Sequence, residues 1–381
     1  MHYLDHAATT PVLPEVAEAM TAVYRQDFGN PSSVHAYGRA ARELVEVARD
    51  KVAAAVGASP AEVVFTGGGT EADNLGLKGA AAKLRGNGNH VVSSNFEHHA
   101  VLESLEWLEH SGLEVTQVPV NQDGILDPAA VGGAVRPTTI LVSVMAVNNE
   151  IGTIQDLEAI TAAVKAASKN ALVHTDAVQA LGNIPVDVHR WDVDLAAFSA
   201  HKLGGPKGVG ALFVKAGVPV DALIHGGGHE RGLRSGTLNV AGIVGFGVAA
   251  ELAAKEVYEK TDRLAKMRDE LLAGIRTIVP DVIVNGGLED RIAGNLNVSI
   301  PGSRGETLLL LLDQAGVAVS TGSACQSGAL DPSHVLLALG LDPETADGSI
   351  RFSLGRASTE GDVSAALEAL PDVVERARKV A

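Results

Sequence analysis

The chain holds a single cysteine, Cys325, among 381 residues. That excludes an intrachain disulfide framework and any cysteine-rich metal site. Positive charge is also in short supply: 30 Lys and Arg stand against 46 Asp and Glu, a formal net charge of −16. Nucleic acid or an anionic membrane would need clustered Lys and Arg, so neither is expected as a direct partner. No apolar run reaches the ~18 residues of a spanning helix, because a Gly or a charge interrupts each one. The start, Met1-His2-Tyr3-Leu4-Asp5-His6, lacks a basic segment followed by an apolar one, so no signal peptide is read and a cytoplasmic location is expected. Aromatics are scarce at 3%. Linkers, internal repeats and low-complexity tracts are absent.

What the chain does have is glycine (42 residues), with abundant Ala and Val, and 46% hydrophobic residues against 20% charged. That mix suits short buried strands alternating with Ala-rich helices. The length fits two domains or one large α/β domain. Apolar runs read as strands at Glu62–Phe65, His90–Ser94, Thr139–Val147, Ala171–His174, Asp194–Phe198 and Gly210–Val214. Helical periodicity lies between them at Arg39–Val56, Thr70–Leu84, Ala100–His110 and Leu157–Ala167. Repeated strand–helix–strand order predicts a mostly parallel sheet, whose ligands bind beyond the strands' carboxyl ends. After a Gly/Arg-rich loop at Gly228–Asn239 a long helix spans Val240 to about Ile278. Then come strands at Asn295–Ile300, Val317–Ser320 and Ser349–Leu354, and helices at Glu306–Ala315 and from Glu360. This predicts a large domain over 12–255 and a smaller α+β domain over 256–381, joined inside the long helix.

The chemistry is sought just past the strands. Lys202, in Ser199-Ala200-His201-Lys202-Leu203-Gly204-Gly205, follows a strand directly; alone it reads as a solvated loop lysine, but there an amine can reach a cofactor carbonyl. A pyridoxal phosphate site needs further groups. Asp176, after the strand at Ala171–His174 and 26 residues before Lys202, suits the pyridine nitrogen; alone it reads as a helix cap. Thr66-Gly67-Gly68-Gly69-Thr70-Glu71 offers backbone N–H groups at a helix start for a phosphate. It matches neither a Walker A loop nor G-x-G-x-x-G. Glu97-His98-His99 supplies an imidazole that can stack on a ring, and with no third ligand at helical spacing it is a poor zinc site. Asn149, in Asn148-Asn149-Glu150, can donate to a phenolate oxygen. Cys325 sits among Ser, Gly and Gln rather than Val and Leu, which points to an exposed reactive thiol instead of a core residue. Arg356, after the strand at Ser349–Leu354, can clamp a carboxylate or form a surface ion pair.

These residues together resemble the cysteine desulfurases of the iron–sulfur-cluster type, class-V aminotransferase-like pyridoxal phosphate enzymes of fold type I. The likeness runs nearly end to end. It includes Tyr3-Leu4-Asp5-His6-Ala7-Ala8-Thr9-Thr10-Pro11, Gly29-Asn30-Pro31-Ser32-Ser33, Gly69-Thr70-Glu71, Glu97-His98, Asn149-Glu150-Ile151-Gly152 and Asp176 with Gln179. It continues through Ser199-Ala200-His201-Lys202, Arg234-Ser235-Gly236-Thr237, Gly322-Ser323-Ala324-Cys325 and Ser353-Leu354-Gly355-Arg356. The resemblance implies a large domain with a mostly parallel seven-stranded sheet, a small C-terminal α+β domain, and residues 1–11 packed on the latter. It implies that Lys202 links to pyridoxal 5′-phosphate, Asp176 pairs with the pyridine nitrogen and His98 stacks on the ring. Asn149 and Gln179 would lie on the phenolate side. Thr70, Ser199, His201 and the Gly69 backbone would hold the phosphate, with Thr237 of a second subunit completing the cup of a homodimer. Arg356, with Asn149, would bind the L-cysteine substrate. Cys325 would take the sulfur as a persulfide, leaving L-alanine. No intrinsic metal is implied, although Cys325 is a candidate shared iron–sulfur ligand with a scaffold. The acceptor would be an iron–sulfur scaffold or a tRNA thiolase. The chain stops at Ala381, short of the scaffold-docking extension of several members, and His99 receives no role.

Three rivals remain: an aminotransferase or β-lyase on the same scaffold, a non-catalytic adaptor, and a Cys-His hydrolase using Cys325 with His334. Only the first lacks a need for Cys325 while keeping Lys202, Asp176 and Arg356. An adaptor has no use for both the lysine and the thiol, and nothing in the sequence orients His334 toward Cys325.

Overall fold

The structure, a computed structural model, describes residues 1–321 and 332–380. A short strand β1 (His2–Tyr3) and helices α1 (Pro14–Gln26) and α2 (Ala36–Val56) precede a large sheet. The sheet consists of β2 (Val63–Thr66), β3 (His90–Ser94), β4 (Glu114–Val118), β5 (Thr139–Ser143), β6 (Leu172–Asp176), β7 (Leu195–Ser199) and β8 (Gly210–Val214). Between its strands run α3 (Gly69–Leu84), α4 (His99–His110), α5 (Pro128–Ala134) and α6 (Leu157–Ala167). The order is β2-β8-β7-β6-β5-β3-β4, so the expected seven-stranded sheet is present. Only β8 runs antiparallel to its neighbours, β2 and β7.

Both faces of the sheet are covered, and that is why its strands read as continuous apolar runs. Successive side chains point to opposite faces. Val63 and Phe65 therefore join a core with residues of α2, α6 and a long later helix, while Val64 packs with Leu75 and Leu105 from α3 and α4. The long helix α7 (Val240–Ile278) serves two cores. Its Ile243, Phe246 and Ala250 face the sheet, whereas Leu264, Leu271 and Ile275 join a second cluster with Leu4. That cluster sits among β9 (Ile283–Val284), β10 (Asn295–Ser299), α8 (Gly305–Gln314), β11 (Val317–Ala318), β12 (Ser349–Ser353) and α11 (Glu360–Val380), while the short helices α9 (His334–Ala338) and α10 (Pro343–Asp347) join the first core. Pairing of β1 with β11 ties the N-terminal strand to the second cluster.

Strand β4, helices α1, α5, α9 and α10 and the short strands β1 and β9 stand where no element is expected, and the strand expected over Thr139–Val147 leaves the regular ladder after Ser143. It stays beside β6 all the same, since Val144 N–H donates to His174 O (3.1 Å) and Ala146 N–H to Asp176 O (2.9 Å).

The loop leading to Thr237 carries two successive non-glycine residues at positive φ, Glu230 (47°) and Arg231 (58°). Such a conformation costs of order 1–3 kcal/mol per residue and needs restraint from its surroundings. Here the restraint is a buried bidentate pair: Arg49 Nη1 and Nη2 donate to Glu230 Oε2 (2.7 Å) and Oε1 (2.8 Å). The Phe65 N–H also donates to Glu230 Oε2 (2.7 Å). Glu230→Ala would remove the buried partner of the Arg49 guanidinium and leave it the exposed Glu46 carboxylate and the Val63 carbonyl. A loss of about 3–5 kcal/mol is expected in urea unfolding.

Candidate active site

Strands β2, β3, β5, β6 and β7 end at one edge of the sheet, and the segments leaving them meet there. Lys202 closes the 3-10 turn Ala200–Lys202, immediately after β7. Its Nζ donates to the carbonyls of Ala7 (2.6 Å) and Ala8 (2.9 Å), and Gln179 Nε2 donates to the same Ala7 oxygen (2.9 Å). The N-terminal segment thus forms one wall of the site.

Asp176 ends the adjacent strand β6 and is buried. Burial raises its pKa, opposed by His98, the Val178 N–H that donates to Oδ1 (2.9 Å), and Lys202. His98 caps α4 by accepting from the Ala100 N–H at Nδ1 (3.0 Å), so the proton of the neutral ring lies on Nε2. Burial lowers the His98 pKa, against the pull of Asp176. Asn149 is half-buried on a turn held by Asn148, whose Oδ1 accepts from the N–H groups of Glu150 (2.8 Å) and Ile151 (3.0 Å).

A cavity of about 670 Å³ opens between β2 and β7, lined by Gly69, Thr70, Ser199 and His201 together with Lys207 and Arg234. Helix α3 starts there with Gly68 as a cap that offers no side-chain bond. The first-turn N–H groups of a helix have no internal partners and favour an anion. A side chain at Gly69 would collide with Val178, its Cβ lying 2.7 Å from Cγ2. Ser199 Oγ is buried without a hydrogen-bond partner. Burial, aided by Lys202 and Lys207, lowers the His201 pKa to about 4, and its Nδ1 meets Thr9 Oγ1 at 3.1 Å. Glu71 bridges the loop, accepting from Gly67 N–H (2.8 Å) and Arg234 Nε (2.8 Å). Backbone donors, an orphaned hydroxyl and nearby cations fit a phosphate group.

On the other side of Lys202 lies a cavity of about 180 Å³ that also takes in Gln179, Glu256, Lys260 and Arg356. Arg356 is paired here: Nη2 donates to Glu256 Oε1 (2.8 Å) and lies 3.7 Å from Glu15 Oε1. Lys260 donates to Asn183 Oδ1 (3.1 Å), and burial lowers its pKa to about 8.

The site therefore brings together Lys202, Asp176, His98 and Gln179, and beside them Gly69, Thr70, Ser199 and His201. Thr237 is exposed and lines neither of the two cavities. Cys325 lies outside the described residues. His334 is bonded to the Glu97 carbonyl (2.9 Å). Lys207 and Glu256 belong to the site without having been singled out in the sequence. The turn Gly205-Pro206-Lys207-Gly208 carried a signal for the first; Glu256, in mid-helix, carried none.

Similarity to known proteins follows the same outline. The Aminotransferase class-V family profile matches residues 2–366. A protein named cysteine desulfurase IscS from Methanosarcina thermophila is 47% identical, over 99% of this chain and 93% of its own. A NifS-like protein of known structure superposes with a TM-score of 0.94 at 42% identity, covering 99% of this chain and 100% of that one. The structure of SspA in complex with cysteine gives a TM-score of 0.83 at 34% identity, over 94% of this chain and 100% of that one.

Proposed function

The chain belongs to the class-V aminotransferase family, and from that premise we propose that it is a pyridoxal phosphate-dependent cysteine desulfurase working through Lys202 and Cys325. The observation that carries this reading is the meeting of Lys202, Asp176 and His98 at or past the carboxyl ends of β7, β6 and β3, next to a cavity of about 670 Å³ with an orphaned Ser199 hydroxyl.

Bound pyridoxal phosphate supplies an electron sink for negative charge developing at the substrate Cα. The chain's own groups do the rest. The Gly69 N–H, Thr70, Ser199 and His201 would hold the phosphate, and the buried Asp176 carboxylate would pair with the pyridine nitrogen. His98 would stack on the ring, and Asn149 and Gln179 would contact its phenolate oxygen. Arg356 and Asn149 receive the substrate, whose carboxylate replaces Glu256 at the guanidinium. The Lys202 amine takes the Cα proton as a general base. The Cys325 thiolate then attacks the sulfur of L-cysteine; the S–S bond forms, the Cβ–S bond breaks, its electron pair takes a proton at Cβ, and the proton held by Lys202 returns to Cα to give L-alanine. The persulfide on Cys325 passes to an acceptor, an iron–sulfur scaffold or a tRNA thiolase.

The same reading divides the chain into 12–255 and 256–381, with 1–11 on the second part, in a cytoplasmic homodimer. Exposed Thr237 serves the phosphate site of a second copy. Val34, Phe28 and Tyr37, at 83%, 75% and 59% exposure, supply apolar surface for it. Among the described residues no helix is long and apolar enough to cross a membrane.

A single turnover with L-cysteine tests the assignment. Equal amounts of alanine and of a peptide carrying one added sulfur on Cys325 are expected. Alanine or pyruvate without the added sulfur would move the chain to a lyase. Ser199→Ala should weaken cofactor binding by about 10- to 150-fold, the value of one hydrogen bond to a charged group, read by titrating apoprotein with pyridoxal phosphate.

A further inference from the structure

Below the strand ends, on the face covered by α3, lie buried groups that the proposed chemistry does not use. His174 stands two residues before Asp176 on β6 and so points to the same face. Its Nδ1 meets Ser143 Oγ at 2.9 Å, and its Nε2 lies 3.5 Å from Asp73 Oδ1 on α3. His174 and Asp73 are 0% and 1% exposed, and neither of those facing atoms makes a hydrogen bond. Space for the imidazole comes from Gly76, where a Cβ would come within 3.0 Å of His174 Cδ2. Asp73 follows Gly69 by one helical turn. The helix that opens on the phosphate cavity thus also carries this carboxyl.

We propose that Asp73 is a positioning residue of the site: its carboxyl keeps a proton, donates it to His174 Nε2, and leaves Asp176 as the one anion on this face of the sheet. This rests on the reading of Asp176 as the pyridine partner. With Nε2 accepting, the His174 ring proton sits on Nδ1 and is donated to Ser143 Oγ, so the Asp73–His174–Ser143 row is neutral and satisfied. The groups facing Asp73 point the same way. Burial, then Asp176 and Glu97, push its pKa well up. Glu97 itself is raised to about 8 by burial, with Oε1 accepting from Ser94 Oγ and from the Met145 N–H (3.0 Å). Burial holds His174 down to about 3. The charge of Lys202, and that of His98 when protonated, acts on Asp176. Ionised Asp73 would add a second buried anion beside Asp176 and divide their pull.

Two variants test this, first without the cofactor. An acid whose pKa is raised on folding stabilises fully below its unfolded value and loses that contribution as pH rises toward its folded one. Asp73→Asn keeps an N–H donor for Nε2 and cannot ionise. The melting temperature of its apoprotein relative to wild type should therefore climb by about 2 °C or more from pH 5 to pH 8. A flat or falling difference would overturn the proposal, since it would mean that Asp73 is already ionised. With pyridoxal phosphate bound, Asp73→Asn should keep the pH midpoint of the cofactor's absorbance. Asp73→Leu, which has no donor, should move it by about one unit. Asp73→Asn moving it as far, or Asp73→Leu leaving it in place, would also overturn it. If wild type bound no cofactor, the proposed function would fail while the apoprotein comparison still stood.

Discussion

Cys325→Ala should lower alanine formation from L-cysteine about 10⁴-fold or more, the scale of losing a covalent nucleophile, while binding pyridoxal phosphate as wild type does. The contrast follows from where the groups lie. Those proposed to hold the cofactor, Lys202, Asp176, His98, Ser199 and His201, all follow or end strands of the large sheet, and the bonds that fix Lys202, Asp176 and His98 run to Ala7 and Ala8, to Val178 and to Ala100. None of those bonds uses the thiol. The steps before sulfur transfer should therefore survive: in heavy water, the Cα hydrogen of L-cysteine should still exchange through Lys202. Without a thiolate, nothing accepts the substrate sulfur, and the Cβ–S bond has no nucleophile to break it. Mass spectrometry of recovered substrate and an alanine assay measure the two halves. Equal alanine from both proteins would remove Cys325 from the mechanism and leave a β-lyase on this scaffold.

How far the sequence revealed this arrangement depended on whether a feature was local. Strands β3 and β8 and helices α6 and α7 run between the residues at which the apolar pattern begins and ends. Strands buried on both faces and helices with a sustained period leave an unbroken signal. Strand β4, Glu114-Val115-Thr116-Gln117-Val118, pairs only with β3 at the sheet's edge and is partly exposed, so its polar residues masked it. Helix α1 opens on Pro14 with no capping side chain before it. The convergence of Lys202, Asp176 and His98 was legible because each stands at or just beyond the carboxyl end of a strand. The Arg356–Glu256 and Arg234–Glu71 pairs were not, since their partners lie 100 and 163 residues apart and only the fold joins them. The Asp73–His174 contact was hidden for the same reason.

Lys202→Ala should abolish desulfuration, with a loss of about 10⁴-fold or more, because one amine is asked both to bond the cofactor and to move the Cα proton. The structure adds a second consequence. Lys202 Nζ also holds the carbonyls of Ala7 and Ala8, so truncation loosens the N-terminal wall as well. Lys202→Arg separates the two effects. A guanidinium can still donate to both carbonyls, yet it remains charged at any working pH and can act neither as a base nor as a nucleophile. The Arg variant should therefore keep the thermal stability of the apoprotein and be as inactive as the Ala variant. A small primary amine, added to solution, should restore part of the Cα hydrogen exchange in Lys202→Ala, where space for it has been opened. It should restore none in Lys202→Arg, where the side chain fills that space. Activity above about 1% of wild type in Lys202→Arg, beyond what an amine fixed in its charged form can support, would assign the proton transfer to another group. Lys260 would then be the first candidate, because it lines the same cavity and burial has brought its pKa down to about 8.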